Sequence, residues 1–412
     1  MGGVVQRFTI VAGIMGISLS ALAQSSGGLR DRDRDLEGAK KVLGEIQQAN
    51  IHSGRFYMFS RIRISDAGFT EDYYLPTGGV RGGVNLRVEA PQRLYFVPHR
   101  KTVFTLDAVP SYSFLKSGNR SGQFDYTLRG DAHFLFNHLY LDAYVNLADQ
   151  LRAQVSDINR IATQRESESG IGGEMKYSSR TSAFFSARYR DMTYPGNRIQ
   201  PEGVPVNLLD RTERNGRLSL HHKTFPLTTL FVAAEASDYE FKRATYKDSS
   251  RRYVGAGFIR ASGRTSFRVE AGETRLDFTD PARLDYSGIT GEATLSRGAG
   301  RWNTTLRGAR DVGFSIFADN DYYISTSGRL AVDYAATRKL TLRGSTTRER
   351  DDYDIPVNGL FRRDNLSFTS IGFMYNFRRL SFGVDAGWFI RDSNFLSDDS
   401  GIRWVIHLSF TP

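Results

Sequence analysis

The chain has 412 residues, a formal charge of +10 and no cysteine, which excludes a disulfide framework, thiolate chemistry and a cysteine-anchored lipoprotein. Aromatic residues make up 12 %, with 40 Gly, while charged residues make up only 24 %, a bias toward strands, turns and interfaces. Mean hydropathy is −0.40, but strands that alternate in polarity cancel in any window average, so this value does not exclude a barrel.

Residues 1–23 read as a secretory signal peptide. Arg7 supplies the positive region, Phe8 to Leu19 the apolar run, and Ala21-Leu22-Ala23 the small-residue cleavage pattern, so the mature chain is expected to start at Gln24. The run falls short of the roughly 20 residues a spanning helix needs, which argues against an anchor. Residues 24–53 form a polar N-terminal segment. Ser25 to Asp35 is expected to be disordered by composition. From Asp35 to Asn50 the period becomes helical: Leu36, Ala39, Val42, Leu43 and Ile46 share one face, Lys40, Lys41, Glu45 and Gln47 lie elsewhere, and Asp35 suits the N-cap. This short helix is expected at the periplasmic mouth or partly inside a lumen. About 30 residues are too few for a separate plug domain.

From residue 54 to 410 the chain is a series of segments that alternate apolar and polar residues, the period of a strand with two unlike faces. Counted from the C-terminus, the strands fall at 401–410, 380–395, 363–377, 339–353, 322–335, 301–316, 285–296, 264–278, 251–261, 228–242, 213–222, 181–193, 167–177, 139–150, 122–136, 102–115, 80–96 and 54–64. Short turns such as Asn137-His138, Ser262-Gly263-Arg264 and Arg378-Arg379 alternate with longer polar connections such as Asp191 to Thr212 and Arg350 to Arg363. Outer-membrane barrels have that asymmetry, and a Greek-key sandwich has no reason for it. The fold class is therefore all-β: a transmembrane antiparallel up-and-down barrel of about 18 strands, or 16 if the glycine-interrupted first two fail, plus the short helix. Phase slips at Ser370-Ile371 and near Glu273 suggest bulges or strands rising above the membrane. The last strand is expected to close the barrel by pairing back near Arg55.

With the apolar phase outward, residues such as Leu128, Val145, Leu218, Val232, Leu306, Leu342 and Trp404 face lipid. Phe136, Phe225, Trp302, Tyr334 and Phe377 are placed in a periplasmic aromatic girdle, and Tyr194, Tyr246, Tyr253, Tyr286, Tyr322 and Tyr353 in an outer one. The opposite phase carries both signs of charge. Its lumen-lining candidates are Arg129, Asp131, Arg188, Arg268, Glu270, Arg307, Arg329, Asp333, Arg343, Asp385, Arg403 and His407. Near-balanced signs favour a ladder of cross-strand ion pairs that partly fills the interior over a strongly ion-selective pore.

Catalytic, cofactor and metal sites are not expected. None of the seven histidines has metal-ligand spacing, and His221-His222 adjoin on a strand and so point to opposite faces. His407 and Ser409 share a face but lack a recognisable oxyanion donor. Arg is scattered with no basic run, so nucleic acid is not an expected partner.

Ser60-Arg61-Ile62-Arg63-Ile64 followed by Asp66-Ala67-Gly68-Phe69, repeated two-strand units, and Arg391-Asp392-Ser393-Asn394 before a last strand together resemble the β-barrel porin type 2 family. Thr411-Pro412 departs from it, because such barrels usually end on the aromatic residue. The resemblance implies a bacterial outer-membrane barrel, exported through the general secretory route and often associated with exopolysaccharide genes. Its implied partners are outer-membrane lipid and lipopolysaccharide, the barrel-assembly machinery, and small solutes or polysaccharide in transit. A structural or adhesive surface protein acting through its loops is the alternative.

Overall fold

Alternation of side chains decides this architecture, because a strand with one apolar face buries it only by pairing into a sheet whose other face is polar. A computed structural model describes residues 38–47, 49–71, 82–116, 122–152, 162–195, 205–317, 320–353, 360–394 and 399–411. The signal peptide at 1–23, the polar stretch after it and the Asp35 cap lie outside the described residues.

A helix, α1 (Gly38–Ile46), precedes β1 (Ile51–Ser53), β2 (Phe56–Ser60) and β3 (Ile62–Glu71). Next come β4 (Gly82–Glu89), β5 (Gln92–His99), β6 (Thr102–Lys116), β7 (Gln123–Leu135), β8 (Leu139–Arg152), β9 (Ala162–Lys176) and β10 (Thr181–Thr193). A 3₁₀ turn at Val206–Leu209 leads to β11 (Arg211–Phe225) and β12 (Thr228–Phe241), and another at Thr245–Lys247 to β13 (Ser249–Ala261). The rest are β14 (Thr265–Phe278), β15 (Tyr286–Ala299), β16 (Trp302–Phe314), β17 (Tyr322–Ala335), β18 (Leu340–Asp352), β19 (Arg363–Phe377), β20 (Leu380–Ser393) and β21 (Asp399–Phe410).

From β6 to β21 each strand pairs antiparallel with the next. β4 pairs with β6, β3 with β4, and β21 returns to β3, which closes a ring of 18 strands. The first two glycine-interrupted segments are therefore genuine staves. Each is broken once: β2 continues into β3 past Arg61, and β4 into β5 past Ala90-Pro91. Pro91 has no N–H to give the ladder, so the break falls there. Arg61 N–H donates to Pro91 O (3.1 Å) and Ala90 N–H to Pro110 O (3.0 Å), which carries the pairing across the break.

The last strand closes onto the first one as expected, but at a different level. Phe410 pairs with Ile62 and Trp404 with Phe69, so closure uses β3 and not the residues around Arg55. The lower part of that stave is taken by β1, which folds back along β2 through Gly54 at φ +59°. β3 carries a register shift on each side, against β4 between Ser65 and Gly68 and against β21 at the seam between Ile406 and Leu408. Polar residues at that bulge hide the alternation, and the first stave runs to Glu71, not to residue 64. Pairing is continuous at Ser370-Ile371 and around Glu273, so neither place is a bulge. At the first, Leu366 and Phe368 put apolar side chains on the lumen phase. At the second, Glu273 and Arg275 form an exposed outward ion pair (2.8 Å) toward the loop end of the strand. β9 likewise starts at Ala162, earlier than residue 167, because its first residues are polar in both phases.

The outward phase is exposed and apolar: Val145, Leu218, Val232, Leu306, Leu342 and Trp404 are all open to the surroundings. Phe136, Phe225, Trp302 and Phe377 are exposed beside the short turns, and Trp302 packs on Tyr334 (ring centroids 4.5 Å). The expected outer girdle is overturned. Tyr253 and Tyr286 lie on the lumen phase, Tyr322 and Tyr353 are buried, and Tyr194 and Tyr246 pack half-buried against an internal cluster. Among the described residues, exposed aromatic side chains toward the long loops instead include Phe69, Tyr112, Phe114, Phe124, Tyr126, Tyr189 and Trp388.

Candidate functional site

The interior is organised at three levels. At the end with the short turns, α1 lies inside the mouth. Val42 and Ile46 are buried against Tyr95, Val103, Leu135 and Tyr140, which project inward from β5 to β8. Glu45, placed on the polar face by period alone, accepts a hydrogen bond from Tyr95 Oη (2.8 Å) and pairs with Arg93 (3.1 Å). Arg93 also pairs with Asp107. Leu43, on the expected apolar face, is exposed. The narrow stripe that docks is thus Val42 and Ile46, one helical turn apart.

At mid-height the wall is a charge ladder. All the lumen-lining candidates lie on the phase opposite the exposed apolar one. Arg129 pairs with Asp131 (2.8 Å), and its guanidinium lies over the Tyr144 ring (4.3 Å). Arg268 reaches Glu270 (3.3 Å), which also receives Arg217 (2.8 Å), itself bound to Glu235 (3.2 Å). Arg307 stands 3.8 Å from Glu292. Arg343 forks onto Asp385, whose carboxylate also meets His407 Nε2 (2.6 Å), and Asp333 is the direct cross-strand neighbour of Arg343. Arg188 is buried in the wall, and Arg329 and Arg403 are half-buried. Sequence reasoning did not single out Glu166, Glu168 and Glu213, which surround Arg190 at 2.7, 3.7 and 3.6 Å. His221 turns inward, 3.0 Å from Ser219 Oγ and stacked on Phe231, while His222 is exposed and meets Thr181 (3.0 Å). The Ser219–His221 contact is buried between Phe184 and Phe231, closed to a substrate. His407 is engaged by Asp385 and not by Ser409.

Toward the long loops the ring opens on one side. β15 and β16 pair only up to Gly291–Arg310, and above that level the tip of the β16–β17 hairpin leaves the wall. Val312, Phe314, Tyr322 and Ile324 sit on the outward phase of their strands yet are buried. They pack against the inward residues Tyr239, Phe241, Leu276, Phe278 and Tyr286 of β12, β14 and β15, together with Val206 and Leu209. Phe314 meets Phe241 edge-on at 4.9 Å, four strands from its own. The tip therefore folds into the barrel. Arg251 on β13 crosses to Asp311 (2.7 Å), and fully buried Lys247 donates from Nζ to the carbonyls of Ser315 and Phe317 (the latter 3.1 Å). Arg362 stacks between Phe317 (4.1 Å) and Tyr353 (4.5 Å). Burial pushes the loop carboxyl of Asp321 above its ordinary range, against the pull of Lys247 and Arg283. One faint sequence signal lies at this insert: Ile316 and Phe317 are adjacent and so apolar in both phases, which a stave between lipid and lumen does not need.

No family model matches the chain, and no curated protein sequence matches it. Solved structures do. The outer membrane protein opdK from Pseudomonas aeruginosa is 11 % identical with a TM-score of 0.51, over 86 % of this chain and 98 % of that one. A second OpdK structure, with vanillate, gives 11 % and 0.50 over the same shares. A BenF-like porin from Pseudomonas fluorescens Pf-5 gives 11 % and 0.49 over 86 % of this chain and 99 % of that one. At this identity the likeness speaks to fold, and the fold is that of an outer-membrane porin barrel.

Proposed function

We propose that the chain is a bacterial outer-membrane channel for passive diffusion of small solutes and not an enzyme, delivered to the membrane through its signal peptide. One observation carries the reading: a closed ring with an apolar exterior surrounds a charged interior narrowed from both ends by its own inserts. A closed barrel leaves no unpaired backbone in lipid, and a polar lumen is what such a barrel offers to solutes. The likeness to OpdK supports this at the level of fold, and that porin has been solved with a small molecule, vanillate.

Membership in the type 2 family, with its link to exopolysaccharide, rests on the segments around Ser60 and Arg391. The geometry favours small solutes over a polymer. A threading polysaccharide needs both α1 and the β16–β17 tip displaced, whereas a small solute passes between a mouth insert on the β5–β8 wall and a tip lying across β12 to β15. A surface protein acting through loops has no need of an internal charge ladder. The test is single-channel recording in planar bilayers with protein shown to be folded by heat-dependent gel migration. Discrete current steps are expected, and their absence overturns the reading.

A further inference from the structure

The charges on the β14–β18 wall lie in level rows, and the rows are not equally open. One row runs Arg268, Thr294, Arg307, Arg329, Thr347, each the direct cross-strand partner of the next. The row above runs Glu270, Glu292, Ala309, Ser327, Glu349 in the same way. Two residues along a strand separate them, about 7 Å. Counted by sign the wall is nearly neutral. Counted by access it is not: the Arg307 side chain is 31 % exposed against 7 % for Glu292, and Arg268 is 26 % exposed against 5 % for Glu270. The carboxylates sit at the wall, and the longer arginines reach past them toward the lumen.

Arg307 and Arg329 are directly opposed on neighbouring strands. Like charges in that position repel, so the pair is not there for the sheet's sake. Its compensation is thin. Arg307 has Glu292 at 3.8 Å, and Arg329 makes no hydrogen bond or ion pair among the described residues. Hydroxyls of Thr294 and Thr347 flank the two guanidiniums, and Phe368, next in the row after Thr347, adds an apolar neighbour on the lumen phase. The level lies four residues below Asp311, just under the inserted tip.

We infer that Arg307 and Arg329 form an anion station on the lumen wall below the inserted tip, which takes one oxyanion group, a carboxylate or a phosphate, of a small solute in transit. Guanidinium forks match a planar or tetrahedral oxyanion through paired hydrogen bonds. The station also gives the channel a preference for anions that its near-balanced lumen charge conceals. This inference rests on the channel reading.

The experiment measures reversal potentials in bilayers across a KCl gradient for the full chain, for R307Q/R329Q and for E292Q, with benzoate, inorganic phosphate and benzyl alcohol added in turn. The expected results are an anion preference in the unaltered protein, its loss in R307Q/R329Q with conductance retained, and a stronger preference in E292Q, which removes the competing carboxylate. Benzoate or phosphate reduces the chloride current severalfold less in the double variant, and neutral benzyl alcohol affects neither protein. Block by benzoate alone assigns the station to carboxylates, and block by phosphate alone to phosphates. Clear current steps without anion preference, or an E292Q protein less anion-selective than the original, overturn the station while the channel stands. Absence of any current overturns the channel itself.

Discussion

Single residues here set how far the interior is open. Lys247 is fully buried, and its ammonium is spent on the carbonyls of Ser315 and Phe317 in the inserted tip. Lys247→Met keeps the volume and removes a charged donor, a loss of about 1.5–3 kcal/mol for each such hydrogen bond. The tip is expected to spend more time undocked, giving a larger and noisier single-channel current. An unchanged current trace would show that the tip is held by its apolar contacts alone. Gly68 acts at the seam. A Cβ there falls 1.8 Å from the Trp404 carbonyl oxygen, a backbone atom that cannot swing aside. Gly68→Val is expected to force β3 from β21 at a cost of about 1–3 kcal/mol, comparable to overpacking a core. The readout is the temperature at which the folded band converts to the unfolded one on gels, which should drop. Equal conversion temperatures for both proteins would count against a tight seam at this level.

At the scale of elements, α1 and the β16–β17 tip are the two pieces that a plain barrel does not have. α1 is held by two buried side chains, each contributing about 1.5–3 kcal/mol, and by the half-exposed Glu45–Arg93 contact. V42D/I46D places carboxylates against the apolar side chains of Val103 and Leu135, with the nearby Tyr95 hydroxyl already given to Glu45. It is expected to release the helix, raise conductance and leave heat-dependent migration unaltered, because no stave is touched. A conductance equal to that of the unaltered protein would place the limiting constriction elsewhere, at the tip. The helix and most strand positions were legible in the sequence because each is a periodic pattern read over many residues. The tip was not. Val312, Phe314, Tyr322 and Ile324 keep the outward phase of their strands, and only the loss of β15–β16 pairing above Arg310 turns that face onto Tyr239 and Phe278. For the same reason Tyr286 and Tyr322, read as an outer girdle, belong to an internal cluster. The ion pairs were legible in kind but not in partner. Period two places Arg268 and Glu270 on one face, but it cannot show that Arg217, three strands away, also reaches Glu270.

For the whole molecule, closure is the property on which everything else depends, and β21 is the element that supplies it. It is paired along its length with β20 on one side and with β3 on the other. In lipid an unpaired backbone group costs several kcal/mol, because no water is present to replace the lost partner. Deleting residues 399–411 exposes two long edges at once, and no local rearrangement of the remaining staves can pair them without shifting every register by one strand. A shift to 17 strands also sets β20 beside β3 in parallel, a pairing the rest of the ring does not contain. The expected outcome is a protein that fails to reach the outer membrane and runs at one position in gels whether boiled or not. Deleting residues 24–50 should leave both behaviours intact, since this segment lies before the first stave and the described residues in it, α1 above all, pair with none of the closing strands. If the chain without β21 still showed two heat-dependent bands and fractionated with outer membrane, the ring would have to close by another route, and the seam at Ile62–Phe410 would not be what holds it shut.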